Sequence, residues 1–145
     1  MDTKNVNEEI LKNCYKNAKM ALISLDEIIP KSSGKLKEEL TFEYEEYNRL
    51  ITEISLVAIK YGITLPEINK VEKTMLNASI NLKTMANGSN SHIAEMNLKG
   101  TVTGYTTLIK DLSEYGPLLN KDVFEVVEKL KNFEEKCEEN LKKYL

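Results

Sequence analysis

Apolar residues recur at helical spacing in five successive segments, and this repeat constrains the fold more than any other feature of the chain. An apolar residue at every third or fourth position forms a stripe along one face of an α-helix. No segment has the strict apolar–polar alternation of a half-buried β-strand, so the sequence predicts an all-α fold. The predicted helices cover residues 6–29, 34–61, 65–86, 91–115 and 120–141.

Residues that end or begin helices separate these segments. Pro30 ends the first helix, and Gly62 is placed to close the second in a left-handed conformation. Thr64 and Glu67 have the spacing of a capping box at the start of the third. Ser91 is the predicted N-cap of the fourth, and short loops favour antiparallel neighbours. At 145 residues, the chain is predicted to be one helical-bundle domain, 1–145.

Two topologies of an antiparallel helical bundle fit this order. The first is a simple up-and-down bundle of five helices. The second is a ferritin-like four-helix core, made of helices 1, 2, 4 and 5, with helix 3 as the crossover. A helix over 65–86 spans about 33 Å, which is long enough for that crossing.

Both topologies make the first and fifth predicted helices parallel, and this bears on the cysteines. Cys14 then lies about 12 Å from the start of its helix, and Cys137 about 24 Å from the start of its own. That axial offset exceeds the reach of a disulfide, so two free thiols are predicted.

Composition excludes several classes of function. The net charge is −3 and nineteen lysines accompany a single arginine, Arg49, which argues against binding of nucleic acid. No run of 18 apolar residues and no signal-peptide pattern is present, so no membrane association and a cytoplasmic location are predicted. No pattern of a nucleophile with histidine and no phosphate-binding loop indicates an enzyme, and no cofactor is predicted.

The fourth predicted helix contains a glycine pair, Gly100 and Gly104, and several β-branched residues. Each glycine destabilises a helix by about 1 kcal/mol relative to alanine, so this helix depends on its neighbours. The pair can allow close approach of another backbone, leave a small ligand cavity, or receive bulky side chains. Close packing against such side chains is favoured. The candidate partners are Tyr47, Met75 and Phe133.

A carboxylate metal site is the most specific functional hypothesis, with Glu43, His92, Glu95 and Glu134 as its candidate ligands. Ferritin-like di-iron sites need two Glu-x-x-His motifs, and the only histidine is His92, so a complete di-iron site is excluded. Glu43 and Glu134 fall at similar heights in their helices, about 14 and 15 Å from the same end. The alternative is that both lie at the edge of their stripes, in solvent or beside lysines, and that His92 is a half-exposed first-turn residue.

Several short motifs resemble one family. They are Asn17-Ala18-Lys19-Met20, Glu46-Tyr47, the run SHIAEM from Ser91 followed by Gly100 and Gly104, and Phe133-Glu134-Glu135. They are similar to those of an uncharacterised group of small ferritin-like helical-bundle proteins from spore-forming Gram-positive bacteria. The resemblance covers most of the chain. It implies the ferritin-like topology and a bacterial source, and it implies no activity.

Two functions follow as hypotheses. The first is a non-enzymatic interaction or stress-related protein that lacks a complete di-iron site and forms a homo-oligomer through its helix faces. Its protein partners are not specified by the sequence. The second is a ferritin-like protein that binds a metal ion or a small molecule with the reduced carboxylate and histidine set.

Overall fold

The computed structural model describes residues 3–68 and 89–145, and in these residues the fold is an all-α bundle. Four α-helices are present in this part of the chain, and no residue of it forms a strand. Short 3₁₀ turns, Ile29–Lys31 and Gly116–Leu118, follow the first and third of these helices. The all-α prediction is confirmed for these residues. The helices are α1 (Thr3–Ile28), α2 (Gly34–Lys60), α3 (Asn90–Tyr115) and α4 (Lys121–Lys142).

These helices correspond to the first, second, fourth and fifth predicted helices. Most of the third, over 65–86, lies outside the described residues, which resume at 89. Residues 65–68 have no regular secondary structure, so the predicted helix start at Leu65 is wrong. Leu65 precedes Pro66, and a residue before proline is biased towards extended conformations, which opposes the capping box at Thr64.

Two other local signals had different outcomes. Gly62 has a φ of +65°, so the left-handed closure of α2 is confirmed. The predicted N-cap at Ser91 is wrong, because α3 begins at Asn90 and its N-cap is Ser89. The Ser89 hydroxyl accepts a hydrogen bond from the backbone N–H of His92 at 3.2 Å.

Contacts between helix ends define the helix directions. The backbone N–H of Ser33 donates to Oδ1 of Asn90 at 3.1 Å, so α2 and α3 begin at the same end of the bundle. At the other end, the Tyr61 hydroxyl donates to Asp122 at 2.9 Å, which places the end of α2 beside the start of α4. The chain between Tyr61 and Ser89 therefore joins opposite ends of the bundle.

The helices pack as two antiparallel pairs. Helix α1 packs on α2 and α3 packs on α4, while α4 also contacts α2 and α1. The predicted parallel arrangement of the first and last helices is confirmed, because Asn7 near the start of α1 contacts Asn120 just before α4. Apolar stripes from all four helices form one core. Its fully buried members include Leu11, Leu25, Leu36, Leu40, Ile54, Ile93, Val127, Leu130 and Leu141.

Asn7 links the two pairs and supports a testable prediction. Its side chain is 4 % exposed, and its Oδ1 accepts from the backbone N–H of Asn120 at 2.7 Å. Asn7→Ala removes the side-chain acceptor of this part-buried hydrogen bond at the start of α4, so we expect a loss of about 1 kcal/mol in the free energy of unfolding. Urea unfolding measures this, with the exposed Asn5→Ala as the matched control. Equal stability of the two variants would contradict the capping role.

Candidate functional site

Polar side chains from all four helices meet in the bundle interior. We call this group the interior polar cluster, and its members are Asn17 on α1, Glu43 and Tyr47 on α2, Asn97 on α3, and Glu134 on α4. Glu43 and Glu134 are each 1 % exposed and Tyr47 is 2 % exposed. The alternative that the two glutamates lie in solvent at the edge of their stripes is therefore wrong. The orientations of α2 and α4 about their own axes point both side chains into the core.

Glu134 is held by two neighbouring helices. The Tyr47 hydroxyl donates to Oε2 of Glu134 at 2.8 Å, and Asn17 also hydrogen-bonds this carboxyl. Burial raises the pKa of Glu134 to about 8, and the hydrogen bonds from Tyr47 and Asn17 oppose that rise. Its Oε1 is buried without a hydrogen-bond partner. At neutral pH this carboxyl is therefore mainly a neutral acid.

Glu43 has a different set of partners. Asn97 donates from Nδ2 to Oε1 of Glu43 at 3.2 Å. Burial, followed by the charge of Glu39, raises the pKa of Glu43 to about 9. Oε2 of Glu43 has no donor facing it, but the carboxyl of Glu39 lies within hydrogen-bonding contact. Protonation of Glu43 relieves the repulsion between these two neighbouring carboxyls.

Two cysteine thiols border the cluster. Cys14 and Cys137 are both free and buried, so the prediction of two free thiols is confirmed. Burial, reinforced by nearby carboxylates, raises the pKa of both thiols. A thiol is nucleophilic and binds metals as the thiolate, so these neutral, buried thiols are chemically inert.

The absence of a side chain at Gly104 leaves room for Asn17 and Glu134 of the interior polar cluster. A Cβ atom added at Gly104 would lie 3.0 Å from Oδ1 of Asn17 and 3.0 Å from Oε2 of Glu134. Asn17 also donates to the Gly104 carbonyl oxygen at 3.0 Å. The neighbours of Gly104 are therefore polar, and the predicted bulky partners Tyr47 and Phe133 pack edge to face on each other at 5.1 Å. Met75 lies outside the described residues, and Gly100 is half-buried.

The other two predicted metal ligands lie in the first turns of α3. His92 is half-buried. The side chain of Glu95 is 50 % exposed and pairs with Lys99 at 3.3 Å. Glu43 and Glu134 thus share the interior, whereas Glu95 faces solvent. Within residues 3–68 and 89–145, no three side chains of His, Cys, Asp or Glu are grouped so that they could hold a metal ion.

Sequence reasoning missed the roles of two members of the cluster, Asn17 and Asn97, and the neighbouring carboxyl of Glu39. A signal was present for the two asparagines. Asn17 follows Cys14 by three residues on the buried stripe of α1, and Asn97 follows the buried Ile93 by four on α3. An amide on a buried stripe needs hydrogen-bond partners, which indicates a polar group on a facing helix.

Comparison of the chain with protein-family models, with curated proteins and with solved structures gives no match. The site must therefore be interpreted from its own geometry. The described helices include none with the length and apolar character that crossing a membrane requires.

Proposed function

We propose that this protein is a cytoplasmic ferritin-like helical bundle with a non-enzymatic interaction or stress-related role, and that its interior polar cluster is structural. In this proposal the third predicted helix, 65–86, is the crossover between the two antiparallel pairs. The direction of the connection from Tyr61 to Ser89 supports it, because this connection joins opposite ends of the bundle. The resemblance of SHIAEM and its downstream glycines to the bacterial ferritin-like group supports the same topology.

One observation carries the structural role, namely that Glu43 and Glu134 are each 1 % exposed in the bundle interior, where burial raises the pKa of both carboxyls. Their pKa values of about 9 and about 8 keep both protonated at neutral pH. Metal ions bind carboxylates in the deprotonated form, so binding would have to displace protons and supply charge compensation. Instead, Tyr47, Asn17 and Asn97 donate hydrogen bonds to these carboxyls. Such a network fixes the relative rotation of helices without a metal.

The ferritin-like ligand set does not fit these residues. A di-iron site needs a Glu-x-x-His motif on each of two helices. On α4 the residue three positions after Glu134 is Cys137, whose pKa is raised. On α2 the corresponding residue after Glu43 is Glu46, which pairs with Arg49 at 2.8 Å. We therefore derive no chemistry through a di-iron centre.

Binding of a single metal ion or a small molecule is the second candidate function. It is favoured by Oε1 of Glu134, which is buried without a hydrogen-bond partner. Within this candidate, Glu43 and Glu134 hold the ligand in the interior, whereas Glu95, which pairs with Lys99 at the surface, takes no part. Deprotonation of both interior glutamates is required first.

Metal analysis separates the two candidates. Protein purified without chelator is expected to contain far less than one equivalent of any transition metal, and Zn²⁺, Fe²⁺ or Mn²⁺ added at pH 7 is expected to leave the melting temperature unchanged. Glu134→Gln should behave like the wild type in this titration. Stoichiometric metal that is lost in Glu134→Gln would overturn the structural role and establish the second candidate.

A further inference from the structure

The outer face of α1, which points away from the core, is covered over much of its length. No residue from Cys14 to Leu25 is exposed, whereas α2, α3 and α4 expose at least one residue in any four consecutive positions. Elsewhere α1 follows the same rule, with Glu9, Asn13 and Asp26 exposed. A helix with 3.6 residues per turn and one core face exposes a residue on every turn. The stretch from Cys14 to Leu25 therefore has a contact on its outer side.

Individual residues of α1 show that this contact lies opposite the core. Ile23 follows Cys14 by nine residues, which at about 100° per residue places it on the opposite side of the helix. Cys14 is 0 % exposed in the core, yet Ile23 is also half-buried. Glu27 lies one turn beyond Ile23 on the same side, and its Oε2 is buried. Since α2, α3 and α4 pack on the core side of α1, the outer contact comes from another part of the chain.

The path of the chain between the two helix pairs limits which part this is. The connection leaves the end of α2 and returns at the start of α3, at the opposite end of the bundle. Helices α1 and α4 each contact both α2 and α3, so the connection passes over one of these two helices. The outer face of α4 is exposed at Glu125, Glu128, Asn132, Lys136 and Glu139. The outer face of α1 is the covered one.

We propose that residues 69–88 dock on the outer face of α1, with Met20 and Ile23 as their apolar contacts. Residues 69–88 themselves lie outside the described part of the chain. Twenty residues span about 30 Å as the predicted helix, whereas the covered stretch of α1 is about 17 Å long. The predicted apolar stripe of the segment supplies side chains for the half-buried Met20 and Ile23. It consists of Val71, Met75, Ala78, Leu82 and Met85. This inference rests on the proposed crossover and names the helix that it crosses.

Spin labels on two helices of the full chain test the route by NMR. One label is placed on α1 at Lys12→Cys, whose native side chain is 41 % exposed, and the other on α4 at the exposed Asn132→Cys. The native cysteines are buried, so each label reacts at the introduced thiol. The α1 label is expected to remove amide signal from residues 73–84 in the middle of the segment. The α4 label is expected to leave these signals unchanged.

Three results would overturn the docking on α1. Loss of these signals with the α4 label alone would place the segment over α4, and the proposed crossover would stand. Unchanged signals with both labels would overturn the crossover together with the docking. Loss of the signals in a mixture of spin-labelled ¹⁴N protein and unlabelled ¹⁵N protein would show that a second copy covers α1.

Limited proteolysis tests the contribution of Ile23 to the docking. Trypsin can cleave the segment at Lys70, Lys73 and Lys83. Ile23→Glu is expected to speed this cleavage at least about tenfold, because proteolysis follows the population of the undocked segment. Leu56→Glu, at an apolar residue of α2 that is 61 % exposed, is the matched control and should be cleaved like the wild type. Equal rates in Ile23→Glu and the wild type, with both folded by circular dichroism, would also overturn the docking.

Discussion

The free energy of unfolding of the wild-type protein is expected to fall as the pH is raised from 5 to 9. Below about pH 4.5, Glu43 and Glu134 are protonated in both the folded and unfolded states. Above that pH the unfolded chain ionises while the folded chain keeps its protons, up to pKa values of about 8 for Glu134 and about 9 for Glu43. Stability is therefore fully present at low pH and is lost as the pH rises to those values. Each group contributes a slope of up to about 1.4 kcal/mol per pH unit.

Glutamine variants assign this slope to the interior polar cluster. Glu43→Gln and Glu134→Gln keep the size and the accepting oxygen of each side chain but cannot ionise, so each should flatten the pH dependence and raise stability at pH 8. The titratable groups that face the pair are Glu39, Tyr47 and the two cysteines, and they remain in both variants. Glu125→Gln, at an exposed position of α4, is the matched control. Urea unfolding at pH 5, 7 and 9 measures the effect, and a slope that is equal in all four proteins would contradict it.

Replacing Gly104 by leucine is expected to destabilise the bundle strongly. Even a Cβ atom at this position lies 3.0 Å from both Asn17 and Glu134, so a full side chain must push both away. The hydrogen bond from Asn17 to the Gly104 carbonyl, at 3.0 Å, is then lost as well. Overpacking of this kind costs about 1–3 kcal/mol, and an unpaired buried amide or carboxyl costs about 1–3 kcal/mol more. The combined loss is a large fraction of the stability of a domain of this size.

Two further variants separate packing from helix propensity. Gly104→Ala gains about 1 kcal/mol of helix propensity but must displace the two polar side chains, so we expect a small net loss. Thr103→Leu, at the exposed neighbouring position, introduces the same side chain without overpacking and should be close to neutral. Thermal unfolding of the three variants measures the order of their stabilities. Wild-type stability of Gly104→Leu would show that this position is open rather than tightly packed.

Sequence patterns predicted the helices well where the signal was local. The period of the apolar stripe and the stop at Gly62 are properties of short segments, and α2 and α3 end within one residue of the predicted ends at 61 and 115. The exact starts were harder, because Ser89 and Ser91 are both good N-caps and only the path of the chain into α3 selects between them. The capping box at Thr64 did not start a helix at Leu65, because Pro66 biases Leu65 towards extended conformations.

The sequence predicted only part of the interior polar cluster. The helix rise placed Glu43 and Glu134 at similar heights, and this predicted that the two carboxyls lie in one layer of the bundle. Their partners depend on the rotation of each helix about its axis, which the spacing does not fix. Tyr47 and Glu134 are 87 residues apart, and a rotation of one residue position would separate them. The role of Gly104 follows from the same long-range geometry.

The most direct measurement of the central claim is a titration of the Glu43 and Glu134 carboxyl carbons by ¹³C NMR, with Glu43→Gln and Glu134→Gln used for assignment. Both carboxyls are expected to be protonated at pH 7 and to titrate near the raised pKa values of about 9 and about 8. A titration of both below about pH 5, as for exposed glutamates, would show two charged interior carboxylates. That result would contradict a neutral structural cluster.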